Sequence, residues 1–455
     1  MALGKRQDEK QQELFVAATQ MPRSPGHPFY KRINELLRES SFDAWVEAQC
    51  EPYYADGGRP GIPPGVYFRM LLVGYFEGID SQRGIAWRCA DSRSLQEFLG
   101  LSPTETSPEH SSLTRVRKRL PLELHQEVFA FVVKVAKAKG LVQGKTLAVD
   151  STTLEANAAM KGIVRRDTGA NWKQYVRGLA EEAGIENPSD DELRRFDRNR
   201  RGKKVSNQDW QSPTDPDARI AKMKDGRTRL AYKAQHAIDL ETEIVTAATV
   251  HHADAADTEI VKDAVAETAG VMHSADSDEQ YREIVADKGY HKAETLAWMA
   301  ERGMRSYVPE KKANARRRWH DKPAAWRKAY ESNRRRVAGD RSRELQRRRS
   351  ERVERSFAHT CRTGRARRTW LRGLIDVTKR YVIHVAAHNL GRIMLALFGV
   401  GTPRGLQGGL SRYLQDLLAS FVVVWATICH WVTVITVNGL GRNRIGLASA
   451  RRITS

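Results

Sequence analysis

Apolar positions along the first third of the chain recur at three and four residues. Ile33, Leu36 and Leu37, then Phe42, Trp45 and Val46, give a helical pattern over residues 29–50. The loop GGRPGIPPG at 57–65 ends in Pro63 and Pro64, and a proline entry suits the first turn of the apolar run at 66–76. Ser81 and Ser92 stand where side-chain N-caps of two further helices belong. SSLTRVRKRL at 111–120 is a helix predicted to expose Arg115, Arg117, Lys118 and Arg119, and residues 122–140 are a long amphipathic helix leading into the next region. Short helices that end in a basic one are how helix-turn-helix modules present a reading helix to DNA. A packed helical region with a solvated basic face has the same pattern.

At Lys145 the period changes to two. KTLAVD puts Leu147 and Val149 on one face of a strand and Ala148 and Asp150 on the other, with the acid at its far end. Residues 156–215 are polar and broken by Gly, Asn and Pro, an excursion with local helix. Strands resume at 230–238 and 243–251 around the turn at 239–242, a hairpin. A helix at 258–270, a short strand at 283–286 ending at Asp287, a helix at 293–302 and a strand at 305–308 follow. The order β–β–β–α–β–α–β–(insert)–α reads as a mixed sheet flanked by helices, an α+β or mixed α/β fold. After the insert at 310–340, Leu345, Val353, Phe357 and Cys361 form one helical stripe, with Arg347, Ser350, Glu354 and Ala358 in the row beside it. Residues 381–398 are an apolar core helix. The expected organisation is a flexible arm (1–27), a helical N-terminal domain (28–140), a mixed-sheet domain (141–400) with a basic insertion (310–340), and a C-terminal tail (401–455).

Charge sharpens this picture. The formal net charge is +21, and residues 311–372 hold 23 Lys/Arg against 6 Asp/Glu. Such a segment repels itself unless it meets a polyanion; nucleic acid is the first partner to expect and an anionic membrane surface the second. Four scattered cysteines (Cys50, Cys89, Cys361, Cys429) form no CxxC pair and signal neither a disulfide framework nor a zinc site. The polar N-terminus is no secretory signal. The apolar run at 421–437 is at the short limit for a span, so a buried helix or strand pair is expected there and no stable membrane association.

Asp150 and Asp287 each close an apolar strand, and Glu354 lies on the later basic helix. Carboxylates suit hard cations such as Mg²⁺, and two such ions can activate an attacking oxygen and stabilise a leaving one at a phosphodiester. Spacing alone does not single these acids out: Asp239, Asp254, Asp257 and Glu351 compete.

LAVDSTTLEANA, DPDARIAKMKDGRTRLAYKAQHAID, VADKGYH and VERSFAHTCRTGRARRTWLRG together resemble bacterial insertion-sequence transposases of the DDE class. GIPPGVYFRMLLVGYFEGIDSQRGIAWRCADSRSLQEFLG, through SPEHSSLTRVRKRL, is similar to their helical N-terminal domain. The resemblance spans roughly residues 28–398. It implies an RNase H-like catalytic domain behind a DNA-binding one, with Asp150, Asp287 and Glu354 as catalytic, metal-binding triad and Mg²⁺ as cofactor, Mn²⁺ substituting. Related elements carry Tyr and Arg upstream of the Glu and Lys downstream; here those places hold Arg347, Ser350 and Cys361, and Arg348, Arg349, Arg355 and Arg362 are the nearby cations that supply positive charge.

The implied function is metal-dependent cleavage at the terminal inverted repeats of an insertion sequence and strand transfer into target DNA, in the bacterial cytoplasm at the nucleoid, by a homodimer in the synaptic complex. Expected DNA contacts are Arg115, Arg117 and Lys118; Arg316, Arg317, Arg318, Trp319 and Trp326 of the insertion; and Arg355 and Arg362. An insertion whose tryptophans pack on the domain is the alternative there. Two other functions fit: an RNase H-like nuclease without strand transfer, and a catalytically inactive DNA-binding repressor.

Overall fold

The computed structural model describes residues 26–55, 57–58, 61–201, 206–223, 225–275, 280–311 and 318–406. Arg316, Arg317, Cys429 and the apolar run at 421–437 lie outside the described residues. The described residues as far as Gly401 form one compact unit; the 3₁₀ turn Pro403–Leu406 belongs to a second.

The N-terminal region is all helix: α1 (Pro28–Glu39), α2 (Phe42–Cys50), α3 (Pro64–Glu77), α4 (Gln82–Ala90), α5 (Arg93–Leu99), α6 (His110–Arg119) and α7 (Leu122–Ala138). Ser81 and Ser92 cap α4 and α5, their hydroxyls accepting from the Gly84 and Leu95 amides as the sequence predicts. The single helical stretch expected at 29–50 is instead two helices. Ser41 adopts a left-handed backbone (φ 53), and the Ser40 hydroxyl turns back onto the Leu36 carbonyl at 2.8 Å, the backbone competition by which serine ends helices. Helix α3 is buried from Val66 through Phe76 except at Leu71, and forms the hub of an aromatic core with Phe29, Tyr30 and Phe98. Each such side chain contributes about 1.5–3 kcal/mol on full burial.

Next come β1 (Thr146–Glu155), an excursion of β2 (Val164–Arg165), α8 (Trp172–Glu182), α9 (Asp190–Asn199) and β3 (Trp210–Gln211), and then β4 (Arg219–Lys222), β5 (Thr228–Asp239) and β6 (Val245–His252). The excursion closes on its own small core of Val176, Ala180 and Leu193. After α10 (Asp257–Ser274) follow β7 (Glu283–Val285), α11 (Ala293–Glu301) and β8 (Arg305–Tyr307). The sheet runs β4–β5–β1–β7–β8, with β6 also paired to β5. Strand β1 is central, antiparallel to β5 and parallel to β7. Strand β4, an edge strand, was not expected.

Among the described residues of the basic insertion, α12 (Ala324–Val337) packs on α11 and β8. It is moored by Asn333, whose side chain bonds both the amide and the carbonyl of Val308. Helix α13 (Asp340–Ala358) crosses the sheet and opens into a π-turn, His359–Thr363. The stripe Leu345, Val353, Phe357, Cys361 is buried as predicted. Helix α14 (Leu374–Phe398) packs against α3, α7 and β6. By length and composition this stretch could cross a membrane, but 67% of its apolar window is buried inside the protein.

Candidate active site

Strand β1 extends five residues past Asp150, so the acid stands mid-strand and not at the end the sequence suggested. The register explains its partner. Ala148 of β1 pairs with Val285 of β7 in parallel, so two residues on in each chain Asp150 and Asp287 come side by side. Asp287 leaves the sheet there as N-cap of the turn Lys288–Tyr290, accepting the Gly289 amide at 2.7 Å. A Cβ on Gly289 would lie 2.8 Å from Asp287 Oδ1 and 3.0 Å from Asp257 Oδ2, so glycine is what lets the turn run between these two carboxylates.

Both oxygens of Asp150 are engaged. Oδ1 accepts the Ser151 amide at 2.8 Å and Oδ2 accepts Arg349 Nη1 at 2.6 Å. Burial pushes the Asp150 carboxyl above its ordinary value and the Asp287 charge adds to this; Arg349 opposes both. On the opposite face of β1 the Ser151 hydroxyl donates to Asp257 Oδ1 at 3.0 Å, and Lys233 Nζ to the same oxygen at 3.2 Å. Asp257, one of the competing acids, is thus drawn to the edge of the pair.

Helix α13 lies over the Asp150 face. Gln346 Nε2 donates to the carbonyls of Ala286 and Tyr307 at 3.0 and 2.8 Å. Farther along, His236 of β5, the register partner of Asp150, stacks on Phe357 with ring centroids 4.1 Å apart. The Ser356 hydroxyl donates to the Val353 carbonyl and is left to accept the His236 Nδ1 proton at 2.8 Å. The Tyr381 hydroxyl donates to Nε2, also at 2.8 Å. Burial holds this imidazole neutral, its pKa lowered to about 3.

Glu354 does not join the aspartates. It is exposed, on the helix row of Gln346 and Ser350 at four-residue spacing. Among the described residues no three His, Cys, Asp or Glu side chains converge as a metal-binding group. Two adjacent carboxylates, each with one oxygen steadied by a backbone amide, do offer the hard oxygen donors that Mg²⁺ takes, so the pair fits such an ion while the third expected ligand stands apart.

Comparison with known families bears directly on this arrangement. Residues 143–390 match the family described as Transposase DDE domain, and residues 18–119 match the Transposase domain (DUF772). The chain belongs to the DDE transposases. No curated protein and no solved structure matches it. The DDE match covers β1 through most of α14, and with them the acid pair and α13.

For a transposase of this family, acting on DNA, the exposed cations matter most. Arg115, Lys118, Arg318 and Arg362 are exposed. Arg117 is not: it is 8% exposed and turns inward to Asp376 of α14 at 3.4 Å. Its expected place at the DNA surface is corrected because its counter-charge lies in the core contact between α6 and α14. Arg355 is likewise engaged, bonding Glu243 at 2.7 Å and pairing with Glu351. Its side chain nevertheless stays 39% exposed. Trp319 packs edge-to-face on Tyr330, 5.1 Å between centroids, and Trp326 is half-buried. Sequence reasoning missed Arg349 as the partner of Asp150 and the exposed Arg365, Arg367, Arg368 and Arg372 that follow the π-turn. The arginine-rich motif was visible, but not which of its members turned inward.

Proposed function

We propose that this chain is an insertion-sequence transposase that binds the terminal inverted repeats of its element, hydrolyses the phosphodiester at each end, and joins the freed 3′-OH to target DNA. The observation that carries this is the placement of Asp150 on β1 and of Asp287 just past the end of the adjacent parallel strand β7, in a chain of the DDE family. The sheet order and the helix crossing it agree with an RNase H-like catalytic domain, and the helices at 28–140 with an end-binding one.

Asp150 and Asp287 would hold the divalent cation, Mg²⁺ or Mn²⁺, with Glu354 as the third ligand once its side chain turned in from the exposed position. Bound there, the ion would supply activation of the attacking oxygen and charge stabilisation at the leaving one. The protein contributes position: Ser151 and Gly289 amides orient the carboxylates, and the His236–Ser356–Tyr381 chain fixes α13 over them. Water and then the 3′-OH serve as nucleophile in two in-line displacements, so one site runs both steps. Exposed Arg115, Lys118, Arg318 and Arg362 neutralise phosphates. Two copies act together in the synaptic complex, in the bacterial cytoplasm at the nucleoid.

The test is cleavage of labelled element-end DNA with Mg²⁺. Asp150→Ala, Asp287→Ala and Glu354→Ala each abolish cutting and leave end binding largely intact. Retained cutting in the Glu354 variant with loss in Glu351→Ala or Asp257→Ala identifies a different third acid. The inactive-repressor reading is favoured by one observation, Glu354 standing away from an Asp150 already paired with arginine. Any Mg²⁺-dependent nicking by the wild-type chain refutes it.

A further inference from the structure

Arg349 is an unusual neighbour for a carboxylate expected to bind metal. Its side chain is 12% exposed and that of Asp150 23%, so their contact is screened little by solvent. The guanidinium is also aimed. Nε donates to Gln346 Oε1 at 3.1 Å, while the amide nitrogen of the same Gln346 is fastened to the ends of β7 and β8 through Ala286 and Tyr307. Gln346 therefore orients Arg349 from the strand that delivers Asp287. Asp150 Oδ1 already accepts its neighbour's amide, and the other oxygen a cation would take, Oδ2, carries Arg349.

We propose that Arg349 is the positioning residue of the acid pair: it holds Asp150 in place while no cation is bound and competes with the divalent cation for Oδ2, so that it sets how tightly the pair takes metal. The inference rests on the reading of Asp150 and Asp287 as metal ligands. It would make cation entry a displacement, with Arg349 Nη1 giving up Asp150 Oδ2.

The experiment uses the full-length chain without DNA, with Mn²⁺ as the probe. Binding is followed by calorimetry and by paramagnetic resonance of free Mn²⁺; melting is followed with and without EDTA. Arg349→Gln keeps a hydrogen-bonding side chain and removes the charge. It binds Mn²⁺ about tenfold more tightly than wild type, roughly 1.4 kcal/mol, and melts lower in EDTA, with Mn²⁺ recovering more of the loss than in wild type. Arg349→Lys restores the charge without the two-pronged geometry and falls between. Asp150→Asn serves as control and loses the Mn²⁺ response. Unchanged or weaker Mn²⁺ affinity in Arg349→Gln, with wild type binding normally, overturns the inference and leaves the proposed function standing. Should Arg349→Gln fold poorly, the Arg349→Lys affinity decides: equal to wild type, it overturns the inference. Absence of Mn²⁺ binding in wild type and both variants removes the metal-ligand reading itself, and this inference with it.

Discussion

Glu267 offers a stability measurement that tests the packing of α10 on the sheet. Both its carboxylate oxygens are buried without a hydrogen-bond partner of good geometry, the Ala248 amide of β6 being the nearest help. Burial pushes this carboxyl from an ordinary 4.5 up to about 7. The sign follows from proton counting. Below pH 4.5 folded and unfolded chains are both protonated there and Glu267 costs nothing. Between 4.5 and 7 the folded chain binds the proton more tightly, so stability falls as pH rises. Above 7 the charge is formed in place and the full penalty, about 3 kcal/mol at 1.36 kcal/mol per tenfold, is present. Glu267→Gln keeps the shape and removes the charge. Denaturant unfolding at pH 5 and pH 8 shows the variant gaining about 2–3 kcal/mol on wild type between the two pH values. Parallel pH dependence in the two proteins refutes the burial argument and places Glu267 in contact with solvent.

Two further substitutions separate the roles of neighbouring groups. Arg115→Ala with Lys118→Ala weakens binding to all duplexes and flattens the dependence of log K on log salt by about 0.9 for each phosphate the variant no longer neutralises, whereas Arg117→Ala lowers thermal stability by stranding Asp376 and leaves the salt slope unchanged; salt titrations and melting curves read both. Tyr381→Phe leaves His236 Nε2 buried without a donor, costs about 1–3 kcal/mol in denaturant unfolding, and slows end cleavage more than end binding because α13 loses its fixed seat.

What the sequence disclosed was local. Period-two apolar alternation placed Asp150 on the correct face of its strand, serines marked the starts of α4 and α5, and the stripe from Leu345 to Cys361 named the buried side of α13. Such signals depend on residues within a few positions of each other. Apart from the break at Ser40 and Ser41, whose cause is local, the misreadings involve distant partners. Arg117 points inward because Asp376, far along the chain, meets it there. Arg349 was one arginine among many until the fold carried it to Asp150, 199 residues away. Strand β4 is short and half-exposed, and its four residues take their form from the ladder to β5 more than from their own pattern. Asp287 was legible as a strand-end acid, but its pairing with Asp150 follows from the parallel register of β1 and β7.

Helix α14 has a consequence for how such a protein would measure DNA. Its first turns meet α6 through Asp376 and through Lys379, which donates to the Arg117 carbonyl at 3.1 Å. Its later turns grip β6, where Asn389 bonds both the amide and the carbonyl of Val245. One rod therefore touches the basic helix and the catalytic sheet without a hinge between them. If α6 sits on the repeat, the scissile bond lies at a fixed reach from it, as between the jaws of a set caliper. Inserting one base pair between repeat and cut moves the DNA about 3.4 Å along its axis, and the unbroken α14 offers no joint with which to follow. The cut then stays at its distance from the repeat and falls one nucleotide inside the element's original end.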